Sequence, residues 1–133
     1  LDDATDDTSA HNQSSIVFLL ETDEKQKFLF TGDAGRDAFN HVPQTLLGKV
    51  KDVTWMKVPH HGSKHNLDST IIKHVNPEIA YISTEKQGKY LNRSTVFALK
   101  KNGTKVYSTS QNRSTIRHGA IKTREGWTKI EPM

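Results

Sequence analysis

Two short segments carry the residues best suited to chemistry, and each follows a run of apolar residues. Asp33 lies in Thr31-Gly32-Asp33, and two adjacent histidines lie in Pro59-His60-His61-Gly62-Ser63. Carboxylate and imidazole groups together suit Zn²⁺ or Mn²⁺, which accept mixed oxygen and nitrogen donors. Because the chain has no cysteine, His, Asp and Glu must supply the side chains that hold any such ion. The two segments therefore predict part of a divalent-metal site.

The neighbours of these residues favour a backbone that approaches a ligand closely. Glycine lies beside Asp33 and directly after His61, and glycine allows sharp turns without a Cβ clash. Ser63 and its amide could then contact an oxyanion, and His65 is a further candidate for phosphate contact. A lone Gly-Asp pair is more often an ordinary turn, but adjacent histidines at the end of a strand cannot both fill one side of a core. The remaining histidines are expected at the surface or without a role: His11, His41, His74 and His118.

Short strands and helices must position the two segments. Apolar runs over 15–20 and 27–31 predict a hairpin, and 53–58, 79–83 and 105–109 predict three further strands. Helical spacing covers 36–47, interrupted at Pro43, then 68–75 and 94–101, with Asn66 or Asp68 capping the second helix and Ser94 the third. Residues 115–130 predict a short antiparallel meander. The alternation predicts an α/β fold, and the near-continuous apolar runs favour strands covered on both faces.

Composition and charge limit the class of protein. The chain has 19 Lys and Arg against 15 Asp and Glu, with the acidic residues crowded before position 25 and the basic ones gathered after Lys49. An excess of basic residues after Lys49 is compatible with a nucleic-acid substrate, although lysines dispersed over a solvated surface give the same sequence pattern. We predict a flexible acidic lead-in over 1–13 and one domain over 14–133. Because no apolar stretch approaches ~20 residues and no signal peptide is visible, we expect a soluble chain. The first residue is Leu1, so we expect part of a longer protein.

Taken together, several segments resemble the second half of the metallo-β-lactamase superfamily, in particular the hydrolase domain of ComEC-type DNA-uptake proteins and their stand-alone relatives. These segments are Asn12 with Ser14–Val17, Phe28–Ala34, Val58–Lys64 and Pro77–Ser83, and similarity continues to about Ile116. The resemblance implies half of an αββα sandwich, with a mixed sheet and helices on one side. The N-terminal half of the same fold, from an upstream segment or a second chain, would complete it.

The resemblance also implies roles for the site residues. Asp33 would bridge two metal ions and act in catalysis, and His61 or His60 would be the last ligand. We favour His61 as the ligand, with His60 turned toward the phosphate as a catalytic group. A carboxylate shared by two cations lowers their repulsion and helps water to attack phosphorus. The implied reaction is metal-assisted hydrolysis of a phosphodiester, with nucleic acid as the substrate class.

Two departures from the family pattern leave alternatives open. The His-x-His-x-Asp-His cluster of the N-terminal half is absent, so we expect this chain alone to be inactive and to bind metal weakly or not at all. Asn92-Arg93 stands where relatives usually carry His-Pro. Asn92 is a poor ligand and no general acid, but it could still hydrogen-bond to the substrate, and Arg93 could bind phosphate. The alternatives are a non-catalytic binding or regulatory module, and a hydrolase of the same fold that acts on a thioester, lactone or phosphocholine ester.

Overall fold

The computed structural model describes residues 14–84, 92–109 and 121–123, and in these residues six strands form one sheet. The strands, adjacent in chain order, are β1 Phe18–Glu21, β2 Lys27–Phe30, β3 Trp55–Lys57, β4 Ile79–Ile82, β5 Lys105–Ser108 and β6 Ile121–Thr123. The described helices are α1 Arg36–Asn40, α2 Gln44–Leu47, α3 Ser69–Val75 and α4 Arg93–Lys101. The lead-in predicted over 1–13 lies outside the described residues.

The sheet is mixed, which confirms the predicted α/β class. The hairpin pairs β1 with β2 antiparallel, as predicted, and each later strand pairs parallel with its predecessor. The antiparallel meander is therefore wrong for β6, where Ile121 lies opposite Val106 in a parallel pair. Strand direction depends on the crossover between strands, which local alternation does not encode. The other strand of that meander, around 115–117, lies outside the described residues.

The helices begin and end near the helix-breaking and capping residues predicted from the sequence, with one correction at the start of α4. Pro43 separates α1 from α2, as predicted from its missing amide hydrogen. Asp68, and not Asn66, caps α3, because its carboxylate accepts a 2.9 Å hydrogen bond from the amide of Ile71. Asn92, and not Ser94, caps α4 by accepting a 2.9 Å hydrogen bond from the amide of Ser94. Asparagine and serine are comparably good caps, so the sequence did not distinguish the two positions.

The hydrophobic core lies between the helices and one face of the sheet. Strand side chains alternate between two faces, and the core side carries Leu29, Met56, Ala80 and Val106, all buried. Buried side chains of α3 and α4 pack in the same cluster: Ile71, Ile72, Val75, Val96 and Leu99. Crossovers of the usual right hand between successive, adjacent parallel strands place their helices on one side of a sheet, and the helix layer here agrees with that rule.

The opposite face of the sheet carries a connected row of aromatic side chains, which we call the open aromatic face: Phe18, Phe28, Phe30, Trp55 and Tyr81. Phe18 and Phe30 stack with centroids 4.6 Å apart, Phe30 lies 5.3 Å from Trp55, and Trp55 lies 6.2 Å from Tyr81. Phe18 is 51% exposed, and the others are partly buried. Within the described residues, helices therefore cover only one face, and the predicted coverage of both faces is not reached.

None of the helices in the described part of the chain combines the length and the apolar character that crossing a membrane would require.

Candidate metal and phosphate site

The candidate site lies at one edge of the sheet, where the loops after β2, β3 and β4 meet. Because these strands are parallel, their carboxyl ends share that edge. The amide of His60 donates a 3.0 Å hydrogen bond to the carbonyl of Gly32, which joins the first two loops. The amide of Asn92 donates a 3.0 Å hydrogen bond to the carbonyl of Gly62, which brings the start of α4 to the same place. The two segments singled out by the sequence are thus adjacent.

Asp33 lies in a turn that is held from two sides. Its amide donates a 3.2 Å hydrogen bond to Oγ of Ser15, and its carbonyl accepts one of 3.2 Å from Nδ2 of Asn66. The preceding Gly32 has φ +54°, and a Cβ there would lie 3.1 Å from Cβ of Ser15. Glycine is needed here both for the left-handed backbone and for the close approach of Ser15. The carboxylate of Asp33 is therefore presented, partly exposed, from a fixed backbone.

The ring of His61 is oriented by a backbone carbonyl. Nδ1 of His61 lies 2.8 Å from the carbonyl oxygen of Ser83, just beyond β4. A carbonyl oxygen accepts hydrogen bonds only, so Nδ1 must carry the proton and donate. In the neutral ring the lone pair then lies on Nε2, the atom that can bind a metal. Histidine ligands of metals are usually fixed by such a hydrogen bond from the other ring nitrogen.

His60 differs from its neighbour in burial and backbone. Its ring lies 4.8 Å from that of His61, and His60 is only 7% exposed, whereas His61 is partly exposed. His60 has φ +53°, a left-handed conformation that is uncommon for a residue with a Cβ. The hydrogen bond from its backbone amide to the carbonyl of Gly32 holds it in this conformation. The accessibility of the two rings agrees with the choice of His61 as the ligand, and the catalytic role of His60 stays a prediction.

Lys57 takes part in the site, although no pattern in the sequence marks it for that role. Its ammonium donates to the carbonyls of Gly32 at 2.8 Å, Val58 at 3.3 Å and His60 at 3.4 Å. Burial lowers the pKa of Lys57, and the nearby charge of Asp33 opposes that shift. One cation therefore bonds to the backbone of both loops and interacts with the candidate metal-binding carboxylate.

Asn66 was considered only as a helix cap, yet it joins the same two loops. Its side chain is fully buried, and Nδ2 donates to the carbonyls of Asp33 and Ala34, each at 3.2 Å. These partners lie 33 and 32 positions away along the chain. No local pattern marks such a contact, because the burial that makes a polar side chain informative is visible only in the folded chain.

Ser63 and His65, the candidates for phosphate contact, lie in the turn that follows the histidines. Ser63 is 2% exposed, and its Oγ accepts a hydrogen bond of 3.4 Å from the amide of His65. The carbonyl of His65 accepts a hydrogen bond of 3.1 Å from Nε of Arg36. These contacts give Ser63 a role in shaping the turn, and phosphate contact by either residue stays a prediction.

Asn92 and Arg93 lie at the first turn of α4. The Oδ1 atom of Asn92 also accepts a 2.6 Å hydrogen bond from the hydroxyl of Ser94, so its side chain is occupied as a cap. Arg93 is exposed. Of the histidines expected at the surface, His41 and His74 bond to backbone carbonyls of Asp37 and Leu47, and His11 and His118 lie outside the described residues.

The donors of this chain fit part of a metal site. Asp33 and His61 offer a carboxylate oxygen and an imidazole nitrogen, the mixed donors that Zn²⁺ and Mn²⁺ accept. Residues 14–84 and 92–109 contain no group of three or more His, Asp and Glu placed to hold an ion. A catalytic zinc site takes about three protein ligands, so a zinc ion bound by Asp33 and His61 would need at least one more ligand.

Known proteins include relatives of this α/β chain, which carries an Asp and a His-His pair at the carboxyl edge of its parallel strands. No protein-family model matches the chain. It is 30% identical to ComE operon protein 3 of Bacillus subtilis (strain 168) over 128 residues, which are 95% of the chain and 16% of that protein. It is 39% identical to Recombination protein 2 of Haemophilus influenzae over 77 residues, which are 58% of the chain and 9% of that protein. The chain thus spans a small part of the length of these curated relatives.

Proposed function

We propose that the chain supplies half of a two-metal hydrolase site of the metallo-β-lactamase type, and that the substrate is a nucleic-acid phosphodiester. The observation that carries the proposal is the hydrogen bond between His61 and Ser83, which prepares Nε2 as a ligand at the edge where Asp33 lies. The chain is similar to Recombination protein 2, whose name refers to recombination, a process that acts on DNA. This similarity supports nucleic acid as the substrate class. The basic balance of the chain, +4, supports the same class.

Each residue of this chain has a defined part in the proposed site. Asp33 and His61 would hold divalent cations, Zn²⁺ or Mn²⁺, which supply positive charge to the phosphate and make water more acidic. Lys57 and Asn66 fix the two loops that present these ligands. The exposed guanidinium of Arg93 lies at the start of α4, next to the loop of Gly62, where it suits contact with a phosphate oxygen.

We further propose that the N-terminal half of the fold packs on the open aromatic face. Sheets that pack face to face bury side chains of alternating strand positions, as Phe30, Trp55 and Tyr81 provide here. A contiguous exposed apolar surface of this kind favours an interaction with more protein. Trp55 reports on this packing in a Trp127→Phe variant, because the chain has two tryptophans and this substitution leaves only the fluorescence of Trp55. Its fluorescence should become less accessible to iodide when the N-terminal half is added, and unchanged quenching would contradict the packing.

Asp33→Asn tests catalysis in the chain joined to its N-terminal half. This change removes the charge but keeps the shape, so hydrolysis of a labelled oligonucleotide with Mn²⁺ should fall by more than the roughly 10–100-fold that outer-shell changes cost. Asp37→Asn, an exposed carboxylate of α1, is the matched control and should retain activity. Circular dichroism of both variants confirms folding. Equal rates for Asp33→Asn and the unaltered protein would exclude this mechanism.

A binding or regulatory module without catalysis is the second candidate. The observation that favours it is the use of Asn92 as a helix cap, which leaves its Oδ1 engaged with Ser94. By the resemblance drawn from the sequence, that residue stands where hydrolases of the metallo-β-lactamase type carry a histidine. This candidate predicts that the same oligonucleotide binds in EDTA, and that its hydrolysis stays at background when Mn²⁺ and the N-terminal half are both present.

A further inference from the structure

The outer surface of α4 combines positive charge with an exposed aromatic ring. The helix carries Arg93, Lys100 and Lys101 and no acidic residue. Phe97 lies in its middle and is 61% exposed, the most exposed aromatic side chain among the described residues. All three basic residues are exposed as well. We call these four residues the α4 stripe.

Helical geometry places the stripe on one side of α4. At about 100° per residue, the four positions fall within roughly 100° of arc. The buried residues Thr95, Val96 and Leu99 occupy the opposite side, against the core. Packing of the helix therefore does not require an exposed phenylalanine, and its position among basic residues needs another explanation.

The stripe begins at the candidate site. Asn92, the cap of α4, bonds through its amide to the carbonyl of Gly62 in the loop that follows His61. From Arg93 to Lys101 the helix rises about 12 Å, which is the length of roughly three to four nucleotides of one strand. A strand with its reacting phosphate at the site would thus pass along the helix.

We propose that the α4 stripe is a binding track for single-stranded nucleic acid that leads to the site, an inference that rests on the proposed function for its substrate class. Arg93 and Lys101 contact phosphates at the two ends, and Phe97 stacks on a base between them. Basic grooves with interspersed aromatic rings are how proteins hold unpaired strands. A duplex offers no exposed base face to Phe97, so the track selects single strands.

Binding is measured by fluorescence anisotropy with the full chain and a fluorescein-labelled oligo(dT) of about 16 nucleotides, in EDTA to prevent hydrolysis. Phe97→Ala should weaken binding roughly five-fold or more without changing its salt dependence. Lys101→Ala should reduce the slope of log K against log salt by about 0.7, the effect of one lost phosphate contact on a single strand. The Phe97→Ala loss should be much smaller for a duplex.

Two matched controls lie on other helices. Leu46→Ala removes an apolar side chain that is 50% exposed on α2, and Lys73→Ala removes an exposed lysine in the last turn of α3. Both should bind oligo(dT) like the unaltered chain. The track is overturned if Phe97→Ala and Lys101→Ala bind as these controls do. It is also overturned if Phe97→Ala binds oligo(dT) normally but loses binding to phosphatidylserine vesicles.

The proposed function is tested separately by hydrolysis of bis-p-nitrophenyl phosphate, which is too small to reach from the site to Phe97. This assay uses the unaltered chain joined to its N-terminal half, with Mn²⁺. Without hydrolysis, oligo(dT) binding that depends on Phe97 and Lys101 still supports the track, and only the catalytic proposal fails. Hydrolysis combined with binding that ignores both residues overturns the track alone.

Discussion

The ring of His61 and the backbone of Ser83 are joined by a hydrogen bond of 2.8 Å, from Nδ1 to the carbonyl oxygen. This bond connects the loop after β3 to the end of β4 and fixes the tautomer of the ring. A residue with this arrangement serves the fold through Nδ1 and, in the proposed site, would bind a metal ion through Nε2. The two contributions can be separated by substitution.

The substitutions His61→Asn and His61→Ala separate the hydrogen bond of Nδ1 from the proposed metal binding of Nε2. The amide of asparagine can replace Nδ1 as donor to Ser83 but provides no counterpart of Nε2. We expect His61→Asn to keep the free energy of unfolding within about 0.5 kcal/mol, and His61→Ala to lose roughly 0.5–1.5 kcal/mol. Both should weaken zinc binding more than ten-fold in the chain joined to its N-terminal half, by calorimetric titration. Zinc affinity retained by His61→Asn would show that Nε2 is no ligand.

Asn66→Ala should destabilise the loop that carries Asp33. The substitution removes the buried Nδ2 group that donates to the carbonyls of Asp33 and Ala34, and it leaves both carbonyls without that donor. We therefore expect the free energy of unfolding in urea to fall by about 2–4 kcal/mol. Asn40→Ala, at an exposed helix end, is the control and should change stability by less than about 0.5 kcal/mol. Similar losses for both variants would mean that Asn66 does not support the loop.

Gly32→Ala should cost stability through backbone conformation and crowding. The residue has φ +54°, and the added methyl would lie 3.1 Å from Cβ of Ser15. We expect a loss of about 1–3 kcal/mol in the midpoint analysis of urea unfolding. Gly48→Ala is the comparison, because its φ of −63° suits alanine and its nearest neighbour would be 3.8 Å away. If Gly32→Ala is as stable as Gly48→Ala, the turn is not constrained as described.

Lys57→Met tests whether the partly buried ammonium holds the two loops together. Methionine preserves much of the apolar stem but donates no hydrogen bond to the carbonyls of Gly32 and His60. We expect faster hydrogen exchange of the His60 amide, because its hydrogen bond to the carbonyl of Gly32 opens more often when the loops are not held together. Lys64→Met, an exposed position in the following turn, should leave that exchange unchanged. Equal protection of the His60 amide in both variants would show that Lys57 does not hold the two loops together.

The sequence predicted most of the elements because the signals were local. The apolar runs around β2 and β3, the break at Pro43 and the cap at Asp68 each act within a few residues. The position of Asp33 and His61 at one edge also followed, because parallel strands end together. The parallel pairing of β6 did not follow, since it depends on a crossover.

The support around the site could not be predicted for a related reason. Lys57 and Asn66 contact the Asp33 loop across separations of 25 and 33 positions, and each has an ordinary local role as a strand lysine or a loop asparagine. Only the folded backbone brings their donors to those carbonyls. Similarly, the amide of Asn92 joins the start of α4 to the histidine loop through a hydrogen bond to the carbonyl of Gly62, a contact that no local pattern encodes.

The central claim is that Asp33 and His61 hold divalent metal once the N-terminal half is present. Elemental analysis of that combined protein, after equilibration with Zn²⁺ and removal of excess ion, measures this directly. We predict about two zinc ions per protein, the number that a two-metal hydrolase holds, with a clear loss in Asp33→Asn and none in Asp37→Asn. Zinc at background level in the unaltered protein, or equal zinc in Asp33→Asn, would contradict the claim.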